Sequence, residues 1–140
     1  MGAELQTEYL IPASHGVAAL QALFELREQL HPLLYISEIR SVKADDLWLS
    51  PAYATDSLAI HFTWKPDWAS VQPLLPKIEA ALTPFNARPH WGKLFSLSPA
   101  GLEAVYPQIP AFRRMLAEVD PAGKFRNNYL SRNLYPEAAA

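Results

Sequence analysis

Two kinds of hydrophobic spacing alternate along this chain, and their order constrains the fold more than any other feature. Apolar residues recur every three or four positions, as in a helix, over residues 14–30 and 67–85. Residues 34–42 and 57–64 instead alternate as strands do. With a short strand before the first helix and another after the second, the order is β-α-β-β-α-β. This order predicts an α+β fold with an antiparallel, ferredoxin-like sheet and helices on one face.

Proline and capping residues mark where these elements should begin and end. The first strand is predicted over residues 8–11 and stops at Pro12. Ser14 is the expected N-cap of the first helix, and His31-Pro32 ends it. Asp67 is the expected cap of the second helix, in which Pro73 and Pro76 predict a kink or a split. The remaining predicted elements are a fourth strand over 90–95, short helices over 101–106 and 110–119, and a loop-rich tail.

Composition narrows the class of protein. The 140 residues suit one domain, residues 1–140, and half of them are hydrophobic, which is enough for a sizeable core. A net charge of −2 argues against a nucleic-acid partner, and the lack of cysteine excludes disulfides and iron–sulfur ligation. The histidines show no metal-ligand spacing, so no metal site is predicted. No apolar run is long enough to cross a bilayer, and a cytoplasmic protein without a membrane partner is expected.

Two predicted strands carry polar side chains that share a face. Glu38 and Arg40 are two residues apart, as are His61 and Thr63, so each pair projects to one side of its strand. A carboxylate and a guanidinium side by side suit the recognition of hydroxyl groups. An ordinary ion pair on a solvated face, and a structural histidine, are the more common outcomes. If the two strands pair, however, all four side chains form one patch.

A glycine-containing aromatic segment, RPHWGKLF over residues 88–95, contributes the remaining candidates. Lys93 follows Gly92 and could bring an ammonium to a cofactor or substrate oxygen, although a surface lysine is the more common case. His90 is open to the same two interpretations. A second basic turn follows at residues 120–126, where Gly123 should adopt positive φ. No glycine-rich dinucleotide or phosphate loop is present, so nothing in the sequence cradles a dinucleotide unaided.

These segments together resemble the FAD-linked sugar-alcohol and aldonolactone oxidases of the vanillyl-alcohol-oxidase superfamily, and most of all the alditol (xylitol) oxidases. The resemblance runs from Glu8 to Tyr135. The segments that carry it, in order, are SEIR (37–40), ADDLWLSP (44–51), IHFTW (60–64), RPHWGKLF (88–95) and DPAGKFRNNYL (120–130).

The resemblance implies a site and a chemistry. Glu38 and Arg40 would bind substrate hydroxyls near the oxidised carbon, and His61 and Thr63 would hold more distal ones. Lys93 would lie against flavin and substrate oxygen and, with Glu38 and Arg40, form the catalytic group, while His90 would support the flavin. The implied reaction moves hydride from a terminal carbinol carbon of a polyol, such as xylitol or sorbitol, to FAD, and O2 then reoxidises the flavin to give hydrogen peroxide.

The resemblance also implies a missing partner. The family's FAD-binding domain, with its glycine-rich loop, has no counterpart in this sequence, so the chain is expected to be a substrate-binding (cap) domain that needs an N-terminal FAD-binding domain for activity. The alternative is a stand-alone ferredoxin-like module that binds a small ligand or a partner without catalysis.

Overall fold

A four-stranded antiparallel sheet organises the molecule. The computed structural model describes residues 4–135. The strands lie in the order β2-β3-β1-β4, and each neighbouring pair is antiparallel. This is the predicted ferredoxin-like order, and the α+β class is confirmed. The strands are β1 (Leu5–Pro12), β2 (Leu34–Val42), β3 (Ser57–Trp64) and β4 (Arg88–Pro89).

The first helical segment is broken, so the prediction of one helix capped by Ser14 is wrong. Ser14 lies in a 3-10 turn, and the helix begins at Gly16. At Leu26 the backbone leaves helical geometry (φ −92°, ψ 0°) before a further helical turn forms. The break lets Leu30 enter the core while Leu26 packs at its edge, so tertiary packing overrides local propensity. The two helices are α1 (Gly16–Phe24) and α2 (Arg27–Leu30).

The second helical segment follows its prediction closely. Asp67 caps it, because its Oδ1 accepts a hydrogen bond of 3.2 Å from the Ser70 N–H. The expected split is confirmed: α3 (Trp68–Val71) and α4 (Leu75–Leu82) are separated by a 3-10 turn that contains Pro73.

The helices cover one face of the sheet and form the main core. Alternate side chains of β1 and β3 point into it, among them Tyr9, Ile11, Ile60 and Trp64. Trp64 is fully buried, and its indole N–H donates to Thr7 Oγ1 at 3.1 Å, so its polar atom is also satisfied. Each large apolar side chain buried in this way contributes about 1.5–3 kcal/mol. We call the opposite face of β1, β2 and β3 the open face. It carries the even-numbered side chains of β1 and β2 and the odd-numbered side chains of β3.

The predicted fourth strand over residues 90–95 is wrong, since β4 comprises only Arg88 and Pro89. After Pro89 the chain turns, and the Lys93 N–H donates to the His90 carbonyl at 3.1 Å. The segment still runs beside β1, because the His90 and Leu94 amides donate to the Glu8 and Gln6 carbonyls, each at 2.9 Å. The turn between those two bonds lifts Lys93 out of the sheet ladder. We call residues 90–97 the lysine loop.

The C-terminal third packs as a second core around Leu102, Tyr106, Ile109 and Leu134. The prediction of a loop-rich tail is wrong, because a helix forms where Asn127 Oδ1 caps the Leu130 N–H at 2.9 Å. The positive φ predicted for Gly123 is confirmed at +65°. The helices are α5 (Pro99–Val105), α6 (Ile109–Val119) and α7 (Asn128–Leu134). Among residues 4–135 there is no helix with the length and apolarity that a membrane span requires.

Arg88 ties three parts of the chain together. Its Nε donates to the Val105 carbonyl at 2.8 Å, and its Nη1 donates to the carbonyls of Tyr53 at 2.7 Å and Pro51 at 3.3 Å. The guanidinium also lies over the ring of Tyr106, 5.9 Å from the centroid. Burial lowers the pKa of Arg88 from its usual value, yet arginine keeps its charge in proteins. The side chain therefore fixes the loop between β2 and β3 against α5.

Candidate functional site

The pairing of β2 with β3 brings the predicted polar residues onto the open face. In the β2–β3 register Glu38 lies opposite His61, and on the other side of β3 the residue opposite His61 is Glu8 of β1. Three ionisable side chains therefore form a row across three strands. Arg40 and Thr63 lie on the same face, each two residues further along its strand. The patch expected from pairing of the strands is present.

Glu8 lies at the centre of this patch and is buried. Its Oε2 is 2.9 Å from Lys93 Nζ and 3.8 Å from His61 Nδ1, while its Oε1 is 3.4 Å from an Nη2 of Arg40. Burial alone would raise the pKa of this carboxyl group. The hydrogen bond from Lys93 and the charges of Lys93 and Arg40 are the main contributions that outweigh burial, and the pKa of Glu8 is lowered. Glu8 is therefore a carboxylate at neutral pH.

His61 links this carboxylate group to Thr63. Lys93 Nζ lies 2.8 Å from His61 Nδ1, and His61 Nε2 lies 3.1 Å from Thr63 Oγ1. An ammonium can only donate, so Nδ1 must accept, and a neutral ring then carries its proton on Nε2. Burial, together with the charge of Lys93, lowers the pKa of His61, which favours that neutral form. The Nε2–H consequently donates to the threonine oxygen.

Glu38 and Arg40 form the exposed part of the patch. Their side chains are 50% and 51% exposed, and Arg40 Nη2 lies 3.6 Å from Glu38 Oε2. The ion pair that the sequence allowed is therefore present. It is not an isolated surface pair, because the same guanidinium also contacts the buried Glu8. A carboxylate and a guanidinium at half exposure can still exchange partners with a ligand.

Lys93 differs from an ordinary surface lysine, because its side chain is only 17% exposed. The lysine loop carries it over β1 to the edge of an open hollow of about 630 Å³. Gln6 shares the open face with Glu8 and also lines this hollow, whose lining residues are Glu4, Leu5, Gln6, Trp91, Gly92, Lys93, Leu94 and Tyr129.

His90 shapes the turn that precedes Lys93. Its Nδ1 accepts a hydrogen bond of 3.0 Å from the Gly92 N–H. A Cβ atom at Gly92 would lie 3.3 Å from the His90 ring, so a side chain at this position would require the ring to shift slightly. The role toward flavin that the resemblance implies for His90 stays a prediction.

A second buried glutamate holds the lysine loop from the opposite side of the sheet. Glu79 of α4 accepts hydrogen bonds from the Tyr9 hydroxyl at 3.1 Å and from the Ser96 N–H at 2.7 Å, and the Ser96 hydroxyl also donates to it. Burial, and next the charge of Glu79, raise the pKa of Tyr9 well above its usual value, so the phenol keeps its proton. Because Ser96 lies three residues after Lys93, this contact fixes where the loop returns to the helices.

Two residues of the open face were missed by the sequence analysis. The first strand was predicted to start at Glu8, so Gln6 and Glu8 were not considered as positions on the polar face of a longer strand. The available signal was the alternation of Gln6, Glu8 and Leu10 with Thr7, Tyr9 and Ile11. Within the described residues 4–135, no three His, Asp or Glu side chains gather as metal ligands would.

Comparison with known proteins places the chain in a family. The model of the D-arabinono-1,4-lactone oxidase family matches residues 4–133, nearly the whole sequence. The chain belongs to this family. The resemblance to alditol oxidases is confirmed by an alditol oxidase from a Streptomyces species, which is 46% identical over 129 residues.

Other relatives carry related names. An L-gulono-1,4-lactone dehydrogenase of Mycobacterium tuberculosis is 33% identical over 134 residues, which cover 94% of this chain, and the L-gulonolactone oxidase of Mus musculus is 31% identical over 123 residues, which cover 82%. The match to the Streptomyces protein covers 92% of this chain. The chain spans 31% of the length of the Streptomyces and mycobacterial proteins and 28% of the mouse protein.

Proposed function

We propose that this chain is the substrate-binding part of an FAD-dependent oxidase that acts on a terminal hydroxyl of an alditol, such as xylitol or sorbitol. The observation that carries the proposal is the patch of Glu8, Arg40, His61 and Lys93 on the open face, in a member of the lactone oxidase family. The relatives' names include both alditols and aldonolactones, which are uncharged, and the extended row of donors and acceptors on the open face is the ground on which we propose the open-chain alditol.

Two carboxylates and two cations face one another in this patch. Glu8 and Glu38 offset Arg40 and Lys93, and His61 is neutral above its lowered pKa. An uncharged, hydroxyl-rich ligand can therefore enter without leaving an uncompensated charge. Glu38 would accept hydrogen bonds from substrate hydroxyls, and Arg40 would donate to the adjacent ones from its planar fork.

The histidine–threonine pair would hold a more distant hydroxyl. Thr63 Oγ1 accepts the hydrogen bond from His61 Nε2–H, which leaves the threonine O–H free to donate to a ligand. Gln6, opposite Thr63 in the β1–β3 register, would extend the row of polar groups along the same face. A row of alternating donors and acceptors matches an extended polyol chain better than a compact apolar ligand.

Lys93 would act at the reacting oxygen. Its ammonium has three N–H donors, of which one is directed to Glu8 and one to His61, so the third can face the substrate hydroxyl. A positive charge at this position would stabilise negative charge that develops on the oxygen. FAD, when bound, supplies the acceptor for the hydride released from the neighbouring carbon.

The lysine loop would meet one edge of the flavin ring and would not hold the whole cofactor. Trp91 and Tyr129 are among the residues that line the hollow beside Lys93, which would place a flat ring system next to a cation. The sequence has no glycine-rich loop to hold the phosphates. We propose that FAD is held mainly by a partner domain outside this sequence and that the chain alone is inactive.

Binding can be tested on the chain itself by NMR titration with xylitol. We expect xylitol to shift the signals of Glu38, Arg40, His61 and Thr63, and 1,5-pentanediol, which has the same carbon chain but lacks the inner hydroxyls, to leave them in place. Arg40→Ala should abolish the shifts. Absence of shifts at these four residues in the folded chain would contradict the proposal.

The chemical roles require the flavin-binding domain in the same reaction. With that domain supplied, Arg40→Ala and Glu38→Gln should raise the KM for xylitol and lower turnover by orders of magnitude. Lys93→Met should slow flavin reduction in stopped-flow traces more than it weakens binding. Unchanged kinetics in either experiment would remove the residue concerned from the site.

The alternative function, a stand-alone binding module, is favoured by one observation. β2 is an edge strand that exposes large apolar side chains: Tyr35 is 61% exposed, Ile36 56% and Ile39 54%. An open edge of this kind pairs readily with another strand. Sedimentation analysis distinguishes the two functions: a stable dimer that does not bind polyol would favour the module, and a monomer that binds xylitol would favour the oxidase part.

A further inference from the structure

We propose that Glu8 is the positioning residue of the open face: its carboxylate holds Lys93 and Arg40 at the places from which they meet the substrate. The contact of these cations with substrate rests on the proposed function, whereas the positioning itself is a property of this chain. Neither the sequence segments that indicated the site nor the roles assigned to them include Glu8.

The location of Glu8 suits positioning and not contact with a ligand. It is in the middle of the sheet, between β3 on one side and the lysine loop on the other, and its own backbone carbonyl accepts the His90 N–H at 2.9 Å. The side chain is only 9% exposed. A ligand above the open face would therefore meet Lys93 and Arg40 before it met Glu8.

The two carboxylate oxygens are divided between two cations from different elements. Oε2 lies 2.9 Å from Lys93 Nζ, and Oε1 lies 3.4 Å from Arg40 Nη2. The lysine comes from the loop after β4 and the arginine from the edge strand β2, so Glu8 links the two sides of the open face. Lysine and arginine side chains have much rotational freedom, which a shared buried anion restricts.

Ionisable side chains from three different elements surround the Glu8 carboxylate. Arg40 comes from β2, His61 from β3 and Lys93 from the lysine loop, and all three are within 4 Å of the carboxylate. Glu38, also on β2, shares Arg40 from the solvent side. Replacement of Glu8 by a neutral residue would leave Lys93 and Arg40 without a shared anion, and only the half-exposed Glu38 would remain beside Arg40.

Glu38 is the matched comparison within the same patch. It is also a glutamate next to Arg40, but it is half exposed and its ion pair involves Arg40 alone. If both carboxylates served only to neutralise charge, removal of either would disturb Lys93 to a similar degree. If Glu8 positions Lys93, only its removal should do so.

The test is the rate at which acetic anhydride acetylates each lysine of the full 140-residue chain, followed by mass spectrometry. Lys43 is the internal reference, because its side chain is 85% exposed although it pairs with Asp56. We expect Lys93 to react more slowly than Lys43 in the unaltered chain. In Glu8→Gln the Lys93 rate should rise about tenfold, which corresponds to about 1.4 kcal/mol of lost stabilisation, while the Lys43 rate stays the same.

Two control variants make the result specific. Glu38→Gln should leave the Lys93 rate within about twofold of its original value, since Lys93 keeps its partner. Glu8→Asp keeps the charge on a shorter side chain and should restore slow acetylation in part. A merely structural role predicts instead that Glu8→Gln and Glu8→Asp raise the rates of all lysines together.

A reciprocal measurement covers the case in which Glu8→Gln does not fold. In Lys93→Met, the 13C-detected titration of the Glu8 carboxyl should show a higher pKa than in the unaltered chain, because the largest favourable partner has gone. An unchanged titration of Glu8, or an unchanged Lys93 rate in folded Glu8→Gln, would overturn the proposal.

Acetylation of Lys93 with and without xylitol tests the positioning role of Glu8 and the polyol site independently. Xylitol should protect Lys93 from acetylation further if the patch binds polyols. If Glu8→Gln accelerates the labelling of Lys93 but xylitol does not protect it, the positioning role stands and the polyol site is wrong. If xylitol protects Lys93 but Glu8→Gln has no effect on its rate, the polyol site stands and the positioning role is wrong.

Discussion

Two buried glutamates lie on opposite faces of the same sheet, and they are satisfied in opposite ways. Glu8 on the open face is surrounded by Lys93, Arg40 and His61. Glu79, on the helix-covered face, accepts hydrogen bonds from the hydroxyls of Tyr9 and Ser96 and from a backbone amide. Their exposed fractions are nearly the same, 8% and 7%, so burial does not account for the difference.

The difference separates a fixed contact from an adjustable one. Neutral donors, the buried Tyr9 hydroxyl and the amide and hydroxyl of Ser96, hold Glu79 in one arrangement, which fixes the end of the lysine loop. The cationic partners of Glu8, Lys93 and Arg40, are on long side chains, and the half-exposed Arg40 is one that a ligand can also contact. The helix side of the sheet therefore supplies rigidity, and the open side supplies charges that are held ready.

The largest expected effect comes from removing a cation on the open face. Lys93→Met leaves the Glu8 carboxylate buried with a weaker set of partners and should lower the free energy of unfolding by about 3 kcal/mol at pH 7. Urea denaturation monitored by tryptophan fluorescence measures this change. A loss below about 1 kcal/mol would mean that Arg40 and solvent replace the lysine, and the contrast between the two faces would disappear.

On the helix side, Glu79→Gln should cost about 2 kcal/mol, because the amide group places donors against the donors of Tyr9 and Ser96. The matched control is Glu103→Gln, which affects a glutamate that is 41% exposed and pairs with Arg113. That change should cost less than about 1 kcal/mol in the same urea experiment. Equal losses in the two variants would show that the buried contacts of Glu79 add no more stability than the exposed ion pair of Glu103.

Removal of both members of the open-face pair sharpens the comparison further. The double variant Glu8→Met with Lys93→Met exchanges a buried ion pair for apolar groups and should be within about 1 kcal/mol of the original stability. It should nevertheless lose polyol binding in the NMR titration. If the double variant were as unstable as Lys93→Met alone, charge in the patch would be needed for folding itself.

The smallest predicted effect is a change in how the stability of the fold depends on pH in the acidic range. The pKa of His61 lies below its ordinary value of 6.5, so the unfolded chain takes up that proton more readily than the folded chain. Its contribution to stability is complete above pH 6.5 and is lost as the pH falls through the folded pKa. Glu8, whose pKa is also lowered, contributes above its usual 4.5 and loses this contribution at lower pH.

His61→Gln should therefore remove only the upper part of the acid sensitivity. Denaturation between pH 7 and pH 5 should show a smaller decline for this variant than for the original chain, by less than about 1 kcal/mol. Below pH 4.5 both proteins should lose stability alike. A steeper decline for His61→Gln above pH 5 would reverse the sign assigned to the histidine.

The sequence predicted the parts of the fold that local patterns determine. The alternation in β2 and β3 gave both strands and the shared face of Glu38 and His61, and Asp67 gave the start of its helix. The break at Leu26 and the shortness of β4 arise from packing and from a turn that leaves the sheet, and neither leaves a local pattern. Boundaries of this kind are decided by the rest of the molecule.

The same reasoning explains which part of the candidate site was found. Polar pairs two residues apart drew attention to β2 and β3, whereas Glu8 is one polar residue in a strand whose start was placed too late. Its importance comes from neighbours that are 32 residues or more away in sequence, on β2, on β3 and in the lysine loop. No window along the chain contains them together, so only the sheet order brings Glu8 to the centre.

The contacts of Arg88 have a consequence for the order in which the chain is made. The carbonyls of Pro51 and Tyr53, between β2 and β3, find their donor only in a residue that leaves the ribosome 35 or 37 positions later. Synthesis runs from the N-terminus at about 5–20 residues per second. For a few seconds β2 and β3 can therefore pair while the loop that joins them is still unsecured. A pause in translation within that interval would extend the exposure of this loop to proteases and chaperones.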